Sequence, residues 1–211
     1  MEKIKYYFLW LSGICVGVFF LQFIPGFSDL FILNDRANNG EVWRFATALF
    51  LHGSPAHLLF NLFALLFFGF SLERIVGSNR FLQVFLVSGI LANFVAVNYY
   101  DASLGASGAI YGVIGALTII RPFMMVWAFG LLLPMFAASL VWIVGDVLRL
   151  YGAFGSSNIG SIAHLSGVVV GLLFGLYYLS KGVSRWENNQ KVPIRFNEPA
   201  FKVWEEKFVK R

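Results

Sequence analysis

Residues 105–121, GASGAIYGVIGALTIIR, decide how this chain is read. A largely apolar run over 106–120 follows the Gly105-Ala106-Ser107-Gly108 string and is closed by Arg121. As a helix rising about 1.5 Å per residue it covers roughly 22 Å, against a bilayer core of about 30 Å. One of its ends must therefore start below the membrane surface. Ser107 stands at one mouth of this run. A later apolar run, residues 162–179, opens with a lone His164 at about the same depth. Hydroxyl and imidazole groups inside hydrocarbon are costly, and each marks a functional position by default.

The whole chain agrees with a membrane setting. Of 211 residues, 58% are hydrophobic and 18% aromatic, with only 13% charged, and the mean hydropathy is +0.73. That is too apolar for a soluble domain. The single cysteine, Cys15, lies inside the first apolar run with no partner thiol, so it reads as packing. Lys3 and Lys5 precede that run in the manner of a secretory leader, but the run is long and aromatic and lacks a small-residue cleavage site. It is expected to stay as a helix.

Six apolar runs are read as transmembrane helices, over residues 6–24, 57–70, 81–99, 106–120, 122–144 and 162–179. The expectation is an all-α polytopic bundle. Thirteen of the 16 basic residues fall at the amino end, in the connections after the second and fourth runs, and in the tail, leaving Arg36, Arg44 and Arg149 on the other face. Both termini are therefore expected in the cytoplasm. The membrane domain covers 1–180, with a first loop over about 26–55 whose Trp43, Phe45, Leu49, Phe50 and Leu51 argue for partial embedding in the outer leaflet. Residues 181–211 form a basic tail, with Phe201, Trp204 and Phe208 at helical spacing among lysines, readable as a surface helix on lipid or as a solvated tail that fixes topology.

The topology runs the fourth and sixth helices inward from the outer face, so Ser107 and His164 share the sunken outer level. A serine in the first helical turn sits among unsatisfied backbone N–H groups at the positive end of the dipole, which favours an oxyanion. It can equally be a cap or part of a small-residue seam. Gly108 and Gly112 on one helix and Gly167 and Gly171 on the other form small-residue faces that would let the two backbones touch. No acid lies in either helix, because Asp29, Asp35, Glu41, Asp101 and Asp146 fall in loops or at helix ends. A Ser-His dyad is therefore expected, with Tyr111 either the ring that stacks on the imidazole or simply an aromatic packed in the bundle. His57 and Asn61, four residues apart, share a helix face and can donate hydrogen bonds to an oxyanion together with the Ser107 N–H. A zinc site using His52, His57 and His164 is disfavoured by the lack of thiol or acid ligands, so no metal is expected.

These pieces, in this order, resemble the rhomboid family of intramembrane serine proteases. Trp43-Arg44 resembles its loop motif, His57-x-x-x-Asn61 its second-helix motif, and Glu73-Arg74 its acidic-basic pair. Gly105-Ala106-Ser107-Gly108 resembles its nucleophile motif and Ala163-His164-x-x-Gly167 its base motif. The resemblance implies a compact six-helix form that hydrolyses peptide bonds in or near transmembrane segments of other proteins. Ser107 would be the nucleophile, His164 the base, and His57, Asn61 and the Ser107 N–H the oxyanion hole. Arg44 and Glu73 would be structural, and Tyr111 would pack on the base. Transmembrane protein substrates and lipids are the implied partners, with no cofactor, no metal and no nucleic acid. The setting fits a prokaryotic cell membrane with the site open to the outer face. The alternative is a catalytically silent relative that binds transmembrane clients. A transporter would be expected to show inverted repeats or paired membrane acids, and the sequence offers neither.

Overall fold

The structure is a computed structural model that describes residues 4–153 and 160–183. Its long helices are α1 (Tyr7–Leu21), α4 (Pro55–Ala64), α6 (Ser78–Ala96), α7 (Ser107–Ile120), α8 (Met135–Leu150) and α9 (Ser161–Ser180). Between them lie the short helices α2 (Phe27–Phe31), α3 (Arg44–Thr47) and α5 (Phe70–Val76). Strands β1 (Leu33–Asn34) and β2 (Ala102–Ser103) pair antiparallel, as do β3 (Met125–Ala128) and β4 (Leu131–Pro134). Pro55–Val76, Ser78–Ala96 and Ser161–Ser180 are long and apolar enough to cross a bilayer, while Tyr7–Leu21 and Ser107–Ile120 are shorter apolar helices. The expected surface helix over 201–208 lies outside the described residues.

The start of α4 follows directly from Ser54-Pro55. Ser54 Oγ accepts the His57 N–H at 3.1 Å, and Pro55 occupies a first-turn position where its missing N–H costs nothing. The helix continues through a π-helical stretch, Leu65–Gly69, into α5, so it is longer than the apolar run over 57–70 alone indicates. Gly77, at φ +89°, then turns the chain straight into α6.

Glu73 ties this corner to the first helix. Its fully buried carboxylate accepts the backbone N–H groups of Tyr7 and Phe8, both at 3.0 Å, and the Ser78 hydroxyl at 2.6 Å. A negative group is thereby set on the orphan donors at the start of α1, where the helix dipole also favours it. Arg74 lies with its guanidinium over the Phe70 ring at 5.3 Å.

The first loop is folded, not solvated. Arg44, 1% exposed, donates to the carbonyls of Asp29 at 2.8 Å and Ile32 at 2.7 Å and pairs with Glu41. Trp43 Nε1 donates to the Leu30 carbonyl at 3.2 Å. The Asn93 amide reaches the Phe45 carbonyl at 2.9 Å and fastens the loop to α6.

The fifth apolar run departs from the single helix read over 122–144. Pro122 cannot extend α7, and the chain instead forms the β3–β4 hairpin before α8 begins at Met135. The turn places Phe129 at φ +56° and Gly130 at φ +75°, the two positive values of a type I′ two-residue hairpin. Val126 and Ala128 are buried while Met125 and Trp127 are exposed, the period of two of a half-buried strand. An apolar run of this length cannot distinguish such a hairpin from helix by hydrophobicity alone. The hairpin packs along the bundle, with Phe129 on Trp142 of α8 and Trp142 on Phe68.

Candidate active site

Helices α7 and α9 meet backbone to backbone. A Cβ at Gly167 would lie 2.0 Å from the Gly108 carbonyl oxygen, and one at Gly171 would lie 1.9 Å from that of Gly112. Only hydrogen side chains permit this approach, in the same way that small-residue faces pack in membranes. Gly108 sits one residue beyond Ser107, and Gly167 three beyond His164.

Ser107 is the first residue of α7, with no side-chain cap on the N–H groups around it. Gly105, at φ +122°, donates its N–H to the Ala48 carbonyl at 2.8 Å and so ties the serine loop to the first loop. A Cβ at Gly105 would come within 2.8 Å of the His57 ring, so glycine there serves both the backbone angle and the approach of the imidazole.

His164 lies one turn into α9. Its ring stacks on Tyr111, with centroids 4.2 Å apart and an 8° interplanar angle. No hydrogen bond joins Ser107 to His164 among the described residues; in unliganded enzymes such contacts are often long and tighten with substrate. The Asn61 amide donates to the His57 carbonyl at 2.9 Å, which leaves one N–H of Asn61 uncommitted to that bond.

Asp146 overturns an expectation. The expected dyad leaves the imidazole without a carboxylate because neither of its two helices carries an acid, yet Asp146 Oδ2, from a third helix, lies 3.1 Å from His164 Nδ1. Asp146 sits in the last turns of α8, and the start of α9 lies beside it. Its other oxygen accepts from Ser161 Oγ at 3.2 Å. A separation of 18 residues across two helices has no local spacing signal, so sequence periodicity could not find this pair.

From the sequence, His52 has no expected role, being named only in a zinc site that is disfavoured. It is buried, its Nδ1 lies 3.2 Å from the Phe50 carbonyl, and Nε2 has no partner among the described residues. Its ring meets the edge of His57 at 5.2 Å. His52 lies in the loop ahead of α4, where burial, and then the neighbouring His57, lower its pKa to about 4. Among the described residues no cluster of three His, Cys, Asp or Glu could hold a metal ion.

Fold and site together define an apolar helix bundle with a serine at the first turn of one helix and a histidine on the helix packed against it. The chain belongs to the rhomboid family, whose Rhomboid domain description matches residues 39–181. It is 33% identical over 173 residues to rhomboid protease GlpG of Haemophilus influenzae, covering 78% of this chain and 86% of that protein. It is also 33% identical to the putative rhomboid protease YdcA of Bacillus subtilis, over 70% of this chain and 73% of the relative. RHOMBOID-like protein 1 of Arabidopsis thaliana is 30% identical over 77% of this chain and 41% of its own length. This is an integral membrane protein.

Proposed function

We propose that this chain is an intramembrane serine endopeptidase that cuts peptide bonds in or near the transmembrane segments of other membrane proteins. Ser107 is the nucleophile and His164 the general base, with His57, Asn61 and the Ser107 N–H as oxyanion donors. The observation that carries this reading is the glycine contact of α7 on α9, which sets Ser107 and the Tyr111-stacked His164 on adjoining helix starts. The relatives named rhomboid proteases add to it. Six helices cross the bilayer, both termini are cytoplasmic, and the site opens to the outer face.

A substrate helix hides its carbonyls in its own hydrogen bonds, so the scissile stretch must unwind before attack. Substrates with Gly or Pro near the cut are therefore favoured. His164 takes the serine proton as Ser107 attacks the carbonyl, the tetrahedral oxyanion meets the donors, and the amine leaves with that proton. Water then releases the acyl group with His164 again as base. No cofactor takes part.

The test is cleavage by purified protein in detergent of a single-pass substrate carrying an Ala-Gly break near its outer end. Wild type should cut it and label with a fluorophosphonate, and Ser107→Ala should do neither. Equal cleavage by both proteins would remove Ser107 as nucleophile. No cleavage and no labelling across several substrates would favour a client-binding relative without activity.

A further inference from the structure

Asp146 is the buried acid that the proposed reaction leaves unused. Its side chain is 1% exposed and that of His164 15%. Burying a carboxylate is costly unless its oxygens are answered, and here they are. Oδ2 faces His164 Nδ1 at 3.1 Å, while Oδ1 accepts from Ser161 Oγ at 3.2 Å and faces Arg149 Nη1 at 3.4 Å. Tyr111 stacks on that imidazole, with ring centroids 4.2 Å apart.

An ionised carboxylate can only accept, so the ring nitrogen facing it must carry the proton. In a neutral imidazole that leaves Nε2 as the bare nitrogen, the one free to take a proton from a hydroxyl. Stacking on Tyr111 fixes the plane of the ring but not its tautomer or its rotation within the plane. The carboxylate supplies both.

We infer that Asp146 is a positioning residue for His164, holding the imidazole as its Nδ1–H tautomer with Nε2 presented for the serine proton. The inference rests on the Ser107–His164 reading above. Because Asp146 belongs to α8 while His164 and Ser161 belong to α9, the base is correctly set only while these two helices are docked. Asp146 touches neither substrate nor nucleophile; its effect passes through the ring.

The experiment uses the full chain with 15N-labelled histidine in detergent at about pH 8, above the ordinary imidazole range. There are only 3 histidines, so His164 is assigned as the signal lost in His164→Ala. In wild type, His164 should show a protonated Nδ1 and a bare Nε2. Asp146→Asn should mix the tautomers, because an amide can donate as well as accept, and should lower kcat by about tenfold to 10³-fold with little change in KM. Asp146→Glu should recover part of that loss. A wild-type His164 protonated on Nε2, or an Asp146→Asn variant with wild-type kcat and tautomer, would overturn the inference. If Asp146→Asn does not fold, the wild-type spectrum decides alone. A wild type that shows the Nδ1–H signature but cuts no substrate supports the positioning and sinks only the proposed activity.

Discussion

His57 shows how one residue is held from several sides. Its backbone N–H is capped by Ser54, its ring fits against Gly105, and its carbonyl takes the Asn61 amide. In its proposed role as an oxyanion donor it would act mainly in the transition state. His57→Ala should therefore lower kcat by about 10²–10³-fold, with a smaller change in KM, in the cleavage assay. His52 gives a stability prediction. Folded, its ring stays neutral down to about pH 4, whereas unfolded it protonates near its ordinary value of 6.5. Between those two values the unfolded chain binds more protons, so stability should fall as pH drops through this window and level off above it. Thermal unfolding in detergent from about pH 7.5 to 4 checks this, and His52→Gln should flatten the profile; an unchanged profile would remove His52 as its source.

Among the elements, the α7–α9 pair has the least room to adjust. A methyl at Gly171 meets a backbone oxygen that cannot rotate away, so Gly171→Ala must spread the two helices. Overpacking of this kind costs about 1–3 kcal/mol, and it should lower the Tm and the kcat together because it separates Ser107 from His164. A methyl added at Gly13 in α1 would meet nothing within 4 Å. Gly13→Ala should thus be neutral or stabilising by up to about 1 kcal/mol. A Gly171→Ala protein as stable as Gly13→Ala would show that the helices yield freely. The small-residue spacing was legible in the sequence; which glycine meets which carbonyl was not, since that depends on the relative shift of two helices far apart in the chain.

For the whole molecule, the proposed orientation follows from charge. The basic residues at the amino end, in two connections and in the tail favour the cytoplasm for both ends. A fluorescent protein fused to the tail should fold and fluoresce, and a periplasmic phosphatase fused there should stay inactive; the reverse pattern would invert the topology and turn the site inward. The hairpin between α7 and α8 bears on the same scale. Its Val126 and Ala128 are buried while Met125, Trp127, Leu131 and Leu132 are exposed, so one face of the hairpin packs on the bundle and the other is an apolar surface.

The sequence alone determined the membrane setting, the short helix that starts at Ser107, the glycine faces and the order of the motifs. These are properties of composition, length and local period, which physical chemistry converts to structure without knowing the fold. Only the tertiary structure decided that residues 125–134 pair as strands, that Glu73 clamps the start of α1, and that Asp146 meets His164. Each of these joins residues through partners distant in sequence or through packing that hydrophobicity does not distinguish, so no period along the chain encodes it.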